Sequence, residues 1–288
     1  SGTNSIVSAF SYISSGLADM VLVTGAERYD SPGQILEWDN SRGEFKHPIF
    51  WASIFSKSYK QEYGISDEQL AIVSVKNHKQ AQENPNALSK KTYTVEDVMN
   101  SKKLTDDLRL LNCSRPCTGS ASILLASKEV AEKYTDMPIW ITGIGQKTTS
   151  AGFTKNTSLT SMESTVIAGQ SALKMSNHNI SEIDVAEVHD AFSVCEPMVL
   201  ESLGFTNQGE GINMSQKLHE ENNFMINPRG GLIGSGHPLG ATGISQTIEI
   251  VQQLQKTAGS RQTNNPKTGL IHNMSAAATS STVLVLEK

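Results

Sequence analysis

Residues 230–243 read Gly-Gly-Leu-Ile-Gly-Ser-Gly-His-Pro-Leu-Gly-Ala-Thr-Gly, and no other stretch restricts the fold as much. Glycine lets the backbone visit φ > 0 and pass close to a bound molecule, so the lone His237 at its centre is presented rather than packed. Pro238 fixes the residue after it. From Ala241 the pattern turns helical, with Ile244, Ile248, Val251 and Leu254 recurring every three or four residues. His237 therefore precedes a helix N-terminus, where the partial positive charge disfavours the imidazolium and leaves a neutral ring able to take a proton. A plain glycine turn with an incidental histidine is the competing reading. A dinucleotide loop fits less well: the spacing is G-x-G-x-x-x-G, and no acidic residue ends a following strand.

Around this loop the chain alternates helix and strand, which places it in the α/β class. Residues 4–15 show helical spacing (Ile6, Val7, Phe10, Ile13) and stop at Gly16; residues 20–23 are a short apolar run that reads as a buried strand. The same order recurs from Gly240, with a helix over 243–255 and a strand over 269–272. Aligning the two starts, Ser1-Gly2-Thr3-Asn4-Ser5-Ile6 falls on Leu239-Gly240-Ala241-Thr242-Gly243-Ile244, the mark of a duplicated unit whose first copy is cut short. Strands are also expected at 121–126, 139–142, 184–188 and 282–286, and helices at 127–134, 164–175 and 192–203. Residues 28–112 are more polar and less regular: Tyr29-Asp30-Ser31-Pro32-Gly33, then Trp38, Phe45, Phe50, Trp51, Phe55 and Tyr59, then a helical stretch over 70–82. Lys76, Lys79, Lys90, Lys91, Lys102 and Lys103 there either meet the phosphates of a coenzyme or form a solvated face.

Charge excludes some partners. With 18% charged residues and a formal net charge of −5, nothing favours a nucleic acid. The apolar runs are too short for a membrane span. Three cysteines, Cys113, Cys117 and Cys195, form no paired framework and suit a reducing cytoplasm. Cys113-x-x-x-Cys117 lacks the second pair a zinc site needs, so no metal is expected.

Three corners of the second half carry histidines: His189 after strand 184–188, His237, and His272 with Asn273 at the end of strand 269–271. Strand ends in open α/β sheets converge on one crevice, so the three can share a site. Two histidines without acidic or thiol ligands are a poor metal set but a sound acid/base and oxyanion set. Forming or breaking a carbon–carbon bond beside a thioester needs a thiolate, a base for the α-proton and donors for the oxyanions. For His189 the alternative is a strand-end histidine satisfied by a carbonyl. His178 and His219 read as surface; His47 and His78 stay unassigned.

Asn227-Pro228, Gly230-Gly231, Gly236-His237-Pro238 and Gly240-Ala241-Thr242-Gly243 resemble, in order, the Gly-His-Pro loop of the thiolase family. Glu187-Val188-His189-Asp190-Ala191-Phe192 resembles the His-Asp-x-Phe motif of its sterol-carrier-protein-type and archaeal acetoacetyl-coenzyme A members. The likeness covers essentially the whole chain and is strongest from residue 184. It implies a thiolase-like fold of two βαβαβαββ halves in five layers, the first incomplete. The halves are residues 1–136, with an inserted loop domain over about 28–112, and residues 137–288. It further implies a cytoplasmic homodimer or homotetramer, further complex subunits left open, acting on acyl-coenzyme A as substrate with no covalently bound cofactor. On that likeness His237 activates the nucleophile, His189 handles the other oxygen or the α-proton, and His272, Asn273, Gly236 and Ser275 line the oxyanion and substrate pocket. The nucleophilic cysteine falls ahead of Ser1. The family's second cysteine is missing, since the C-terminal loop reads His272-Asn273-Met274-Ser275 and position 191 is Ala. Its glycine-rich stretch is Ser275-Ala276-Ala277-Ala278, whose methyls would crowd a backbone oxyanion pocket. Acetyl-coenzyme A condensation, or the reverse cleavage, is thus the expected reaction. A non-catalytic acyl-coenzyme A or lipid-binding subunit is the alternative. A retro-aldolase ranks third, because no tyrosine lies in a motif loop and the nearest is Tyr134.

Overall fold

A computed structural model describes residues 2–29, 48–150 and 158–288; the readings at Ser1, Asp30 to Gly33, Trp38, Phe45 and His47 lie outside the described residues. In chain order, α1 (Gly2–Ser14) leads into β1 (Met20–Glu27), and the helix stops where Gly16 takes φ +75°. Then come α2 (Pro48–Tyr63), α3 (Asp67–Ala81) and α4 (Val95–Asn100), and a short hairpin of β2 (Lys103–Thr105) and β3 (Leu108–Arg109). A capping box, in which Ser66 and Gln69 bond each other's backbone N–H, starts α3. β4 (Gly119–Ala126) pairs antiparallel with β1 along its full length.

After α5 (Lys128–Tyr134), the second half runs β5 (Trp140–Thr148), α6 (Glu163–Ser176), β6 (Val185–Glu187), α7 (Cys195–Leu203) and α8 (Gly211–Glu220). It ends with α9 (Gly231–Ser235), α10 (Thr242–Leu254), β7 (Thr268–Met274) and β8 (Ser280–Glu287). Its sheet has the order β5-β8-β7-β6, with β6 and β7 parallel and the other pairs antiparallel. α10, β7 and β8 thus repeat the order of α1, β1 and β4, and both helices are 13 residues long. The two helices lie against each other between the sheets, α10 touching β6, β7 and β8 on one side and β1 and β4 on the other.

Helix α10 is sandwiched, so it is buried on more than its apolar stripe: Gln246, Glu249 and Gln253 are buried beside Ile244, Ile250 and Leu254. Ile6, Val23, Ile271 and Leu284 complete that cluster, each side chain worth about 1.5–3 kcal/mol when removed from water. Among the described residues four layers are present: α6, the four-stranded sheet, the α1 and α10 pair, and the β1 and β4 pair. The outward face of the last carries Leu22 opposite Leu124, both exposed. No helix among the described residues is long and apolar enough to cross a membrane.

The apolar positions expected of helix α6, Val166, Ile167, Ala168, Ala172, Leu173 and Met175, divide: Ala168 and Ala172 are buried together with Ser164, Thr165 and Gly169, whereas Met175 is half exposed. Small residues win because β5 approaches at backbone distance. A Cβ on Gly145 would sit 1.8 Å from the carbonyl oxygen of Ala168. Gly145→Ala is expected to push α6 off the sheet and cost on the order of 2–3 kcal/mol, read as a lowered urea midpoint at unchanged slope.

Candidate active site

Two elements bring the histidines together. His189 stands two residues beyond β6, whose exit is fixed by Asn227: its Oδ1 accepts the Val188 N–H at 2.8 Å, and its own N–H bonds Ala186 O at 2.8 Å. Asp190 accepts from Leu232 N (2.6 Å), Ile233 N (3.3 Å) and Asn77 Nδ2 (2.7 Å), so the residue after His189 caps the first turn of α9. Gly231, at φ +57°, has no room for a side chain there; a Cβ would lie 2.2 Å from Asp190 Oδ2. Burial, then Glu196, pushes the Asp190 carboxyl up to about 8, against the pull of the Leu232 and Ile233 N–H groups. Asp190→Ala would orphan three buried donors at a cost of about 3 kcal/mol, measured by equilibrium unfolding.

The glycine stretch is not wholly loop, since residues 231–235 form α9. After it, Gly236 at φ +98° turns the chain so that His237 N bonds Arg115 O at 2.9 Å. The segment 112–117 crosses both histidine corners. It makes isolated bridges between Cys113 and Phe192 and between Pro116 and His237, and the bonds Ser114 N to Ala191 O and Ser193 N to Asn112 O, each 2.8 Å.

The imidazole rings of His189 and His237 meet edge to face, centroids 5.1 Å apart and planes at 87°. Their bonding assigns different roles. His237 Nδ1 lies 2.8 Å from Thr242 Oγ1, and that hydroxyl spends its own hydrogen on Pro238 O at 3.1 Å. With the hydroxyl hydrogen on Pro238 O, the hydrogen of His237 is assigned to Nδ1 and the lone pair to Nε2. At His189 the reverse holds. Asn273 Nδ2, oriented by Gln246 Oε1 at 3.0 Å, donates to His189 Nδ1 at 3.1 Å, which leaves the hydrogen on Nε2. One ring is set up as a base, the other as a donor.

Both rings are neutral at pH 7. Burial, then the Arg229 charge, lowers His189 to about 3; burial, then His189 and Arg229, holds His237 well below its ordinary value. The helix N-terminus expected to keep His237 neutral is thus not the leading cause. Desolvation is.

The four expected pocket residues separate. Asn273 bonds the His189 ring. His272 does not line the pocket: it lies inside β7, its Nε2 bonds Thr165 Oγ1 at 3.1 Å, and its Nδ1 accepts the His189 N–H at 3.5 Å. Gly236 has given its N–H to Leu232 O at 3.0 Å. Ser275 is exposed, with its N–H on Ser280 O and its hydroxyl against Thr279. None of these three offers the pocket a donor.

Lys76 was grouped with lysines for a phosphate or a solvated face, and neither holds for it. It is buried, with Nζ 3.0 Å from Glu196 Oε1, because α3 packs against α8 and α9 rather than facing water. Lys79, Lys90, Lys91, Lys102 and Lys103 are exposed. His178 and His219 are half-buried, and His78, left unassigned, is buried edge-on to Tyr93. A cavity of about 370 Å³ lined by Phe55, Lys147, Met162, Ala277 and Ala278 lies apart from the imidazoles, which the chemistry singles out instead. Sequence reasoning passed over Thr242, Gln246 and Cys117. The Cys117 thiol lies 2.9 Å from where a Cβ of Gly236 would be, and burial raises its pKa while the His237 N–H and the charges of Arg115 and Arg229 lower it. Thr242 stands in the glycine motif and Cys117 in the cysteine spacing, but nothing local ties either, or Gln246, to an imidazole.

The description Thiolase C-terminal domain-like matches residues 145–288. The chain is 34% identical over 297 residues to the acetyl-CoA acetyltransferase of Methanothermobacter thermautotrophicus, covering all of this chain and 78% of that protein. It is 30% identical over 296 residues to human sterol carrier protein 2, covering 95% of this chain and 54% of that one. A solved Ltp2-ChsH2(DUF35) aldolase superposes with TM-score 0.85 at 24% identity, over 99% of this chain and 77% of that one, a likeness of fold. The chain belongs to the thiolase family, and its α/β architecture is the thiolase fold.

Proposed function

We propose that this chain carries the His/His half of a Cys/His/His acyltransferase site that condenses two acetyl-coenzyme A molecules, or runs the reverse cleavage. The observation that carries it is the pair of imidazoles 5.1 Å apart, one held at Nδ1 by the Thr242 hydroxyl and the other at Nδ1 by the Asn273 amide. His237 Nε2 takes the proton of the nucleophilic thiol. The thiolate attacks the thioester carbonyl, the oxyanion is held by imidazole N–H, and coenzyme A leaves as the thiol while an acetyl-enzyme forms. His237 Nε2, neutral again once coenzyme A has left with the proton, removes the α-proton of a second acetyl-coenzyme A; that carbon attacks the acetyl group, the enzyme sulfur leaves and takes the proton back from His237, and acetoacetyl-coenzyme A is formed. His189 Nε2–H faces the oxygen on which the enolate charge develops.

On the family resemblance the thiol lies ahead of Ser1. Gly2 packs against Gly240, in the loop that carries His237, and Thr3 against Gly243 in the first turn of α10, which would bring a preceding cysteine to that imidazole. Radiolabelled acetyl-coenzyme A, offered to the polypeptide expressed from its start codon, should leave one covalent acetyl group per chain. No label would overturn this reading.

One observation favours a second reading, a non-catalytic acyl-coenzyme A-binding subunit. Ala277 and Ala278 occupy φ +56° and +51°, a conformation that suits glycine, and their methyls fill the turn beyond Asn273. Binding of acetyl-coenzyme A without labelling would select it.

A further inference from the structure

Arg229 joins the two elements that carry the imidazoles. Its Nε donates to Glu187 Oε2 at 2.9 Å and its backbone N–H to Glu187 Oε1 at 3.3 Å. Glu187 is the last residue of β6, two before His189. On the other side, Arg229 Nη1 donates to Ser245 Oγ at 3.0 Å, and Ser245 Oγ donates to Thr242 O at 2.8 Å. Thr242 holds His237 through its hydroxyl. Arg229 is 7% exposed and Glu187 fully buried. A guanidinium can span the two because its donors diverge from one plane; a single ammonium on a flexible stem cannot. We propose that Arg229 is a positioning residue that clips β6 to the first turn of α10 and so sets the His189 and His237 rings against each other.

The buried pair is dear in desolvation, so stability alone does not explain it. Its fixed charge supports the same role. Among the described residues its guanidinium acts on both imidazoles, and it helps keep both neutral. Besides the two imidazoles, its charge acts on Glu187 at the end of β6 and on Cys117 in the crossing segment, where Arg115 acts as well; Glu187 in turn faces Glu249 on α10 and Asp190 just after β6. The catalytic meaning of the clip rests on the proposed acyl transfer, but the clip itself is readable without it.

Imidazole NMR on the intact protein reads it directly. In the pair variant E187Q/R229Q, which removes both buried charges and shortens the side chain at position 229, the ring-to-ring Overhauser effect between His189 and His237 should fall at pH 7. R229K keeps the charge but not the two-sided bridge, so the Overhauser effect should fall there too. In both variants kcat should fall at least about ten-fold at little-changed KM, the signature of misplaced rather than lost groups. An unchanged Overhauser effect in E187Q/R229Q would overturn the clip. If the parent itself transfers no acetyl group, the acyltransferase reading fails while both NMR arms still decide the clip.

Discussion

Replacing His237 by Ala is expected to lower acyl-transfer turnover about 1,000-fold, roughly 4 kcal/mol of barrier, with the fold intact. The expectation comes from one atom. Thr242 and Pro238 fix the hydrogen of His237 on Nδ1, so Nε2 has its lone pair available in the resting protein. Ala removes that lone pair and nothing that shapes the loop. The His237 N–H still reaches Arg115 O, and the Thr242 hydroxyl still reaches Pro238 O. His189→Ala removes a donor rather than a base and should cost about 100-fold. Turnover followed by thioester absorbance, beside far-ultraviolet circular dichroism, separates lost chemistry from lost structure. A His237→Ala protein that keeps a tenth of parental turnover would remove the base from the mechanism.

Acid should unfold this protein steeply below about pH 4.5. His189 and His272 are lowered to about 3 and His78 to about 4, and His237 is lowered as well, burial being the first cause in each. A histidine with a depressed folded pKa gives stability at pH above its unfolded value near 6.5. That stability drains away as pH falls, because the unfolded chain binds protons the folded chain refuses. Three carboxyls run the other way. Glu187 is raised to about 7, Asp190 to about 8 and Glu201 upward, so between pH 4.5 and 6.5 the folded chain holds protons the unfolded one has lost. Across that window the carboxyls offset most but not all of what the histidines lose, since His219 is lowered as well, and stability should decline gently. Below it the unfolded carboxyls are protonated too, and the histidines act unopposed. At 1.36 kcal/mol per unit, His189 and His272 alone would withdraw on the order of 5 kcal/mol each by pH 3, comparable with the whole stability of a typical domain. Urea midpoints measured from pH 7 to pH 4 check this; a decline as steep above pH 4.5 as below it would show that the carboxyls do not offset.

The position of the two histidines was legible in sequence because the signal is local. Glycine spacing around His237 and a strand ending before His189 are features of a few neighbouring residues, and both place a side chain at a corner. What each ring does was not legible. The choice of nitrogen depends on Thr242, Asn273 and Gln246, which reach the rings only through packing of α10 and β7. His272 misled for the same reason: β7 continues to Met274, so a residue expected at the strand's edge is inside it. Lys76 belongs to a Lys, Asn and Gln-rich helix that reads as solvated, yet tertiary contact buries it on Glu196. On α6 the pattern of large apolar residues pointed away from the face that two glycines of β5 select.

The segment 112–117 lies before β4, and it bonds the backbones of Ala191, Ser193 and His237 in the half that follows. A gene severed between codons 136 and 137 would thus yield a C-terminal piece that retains both imidazoles but has lost the strip of chain roofing them. Mixing the two pieces should restore function only if that roof re-forms across the break, which makes complementation between them an assay for how the halves depend on each other.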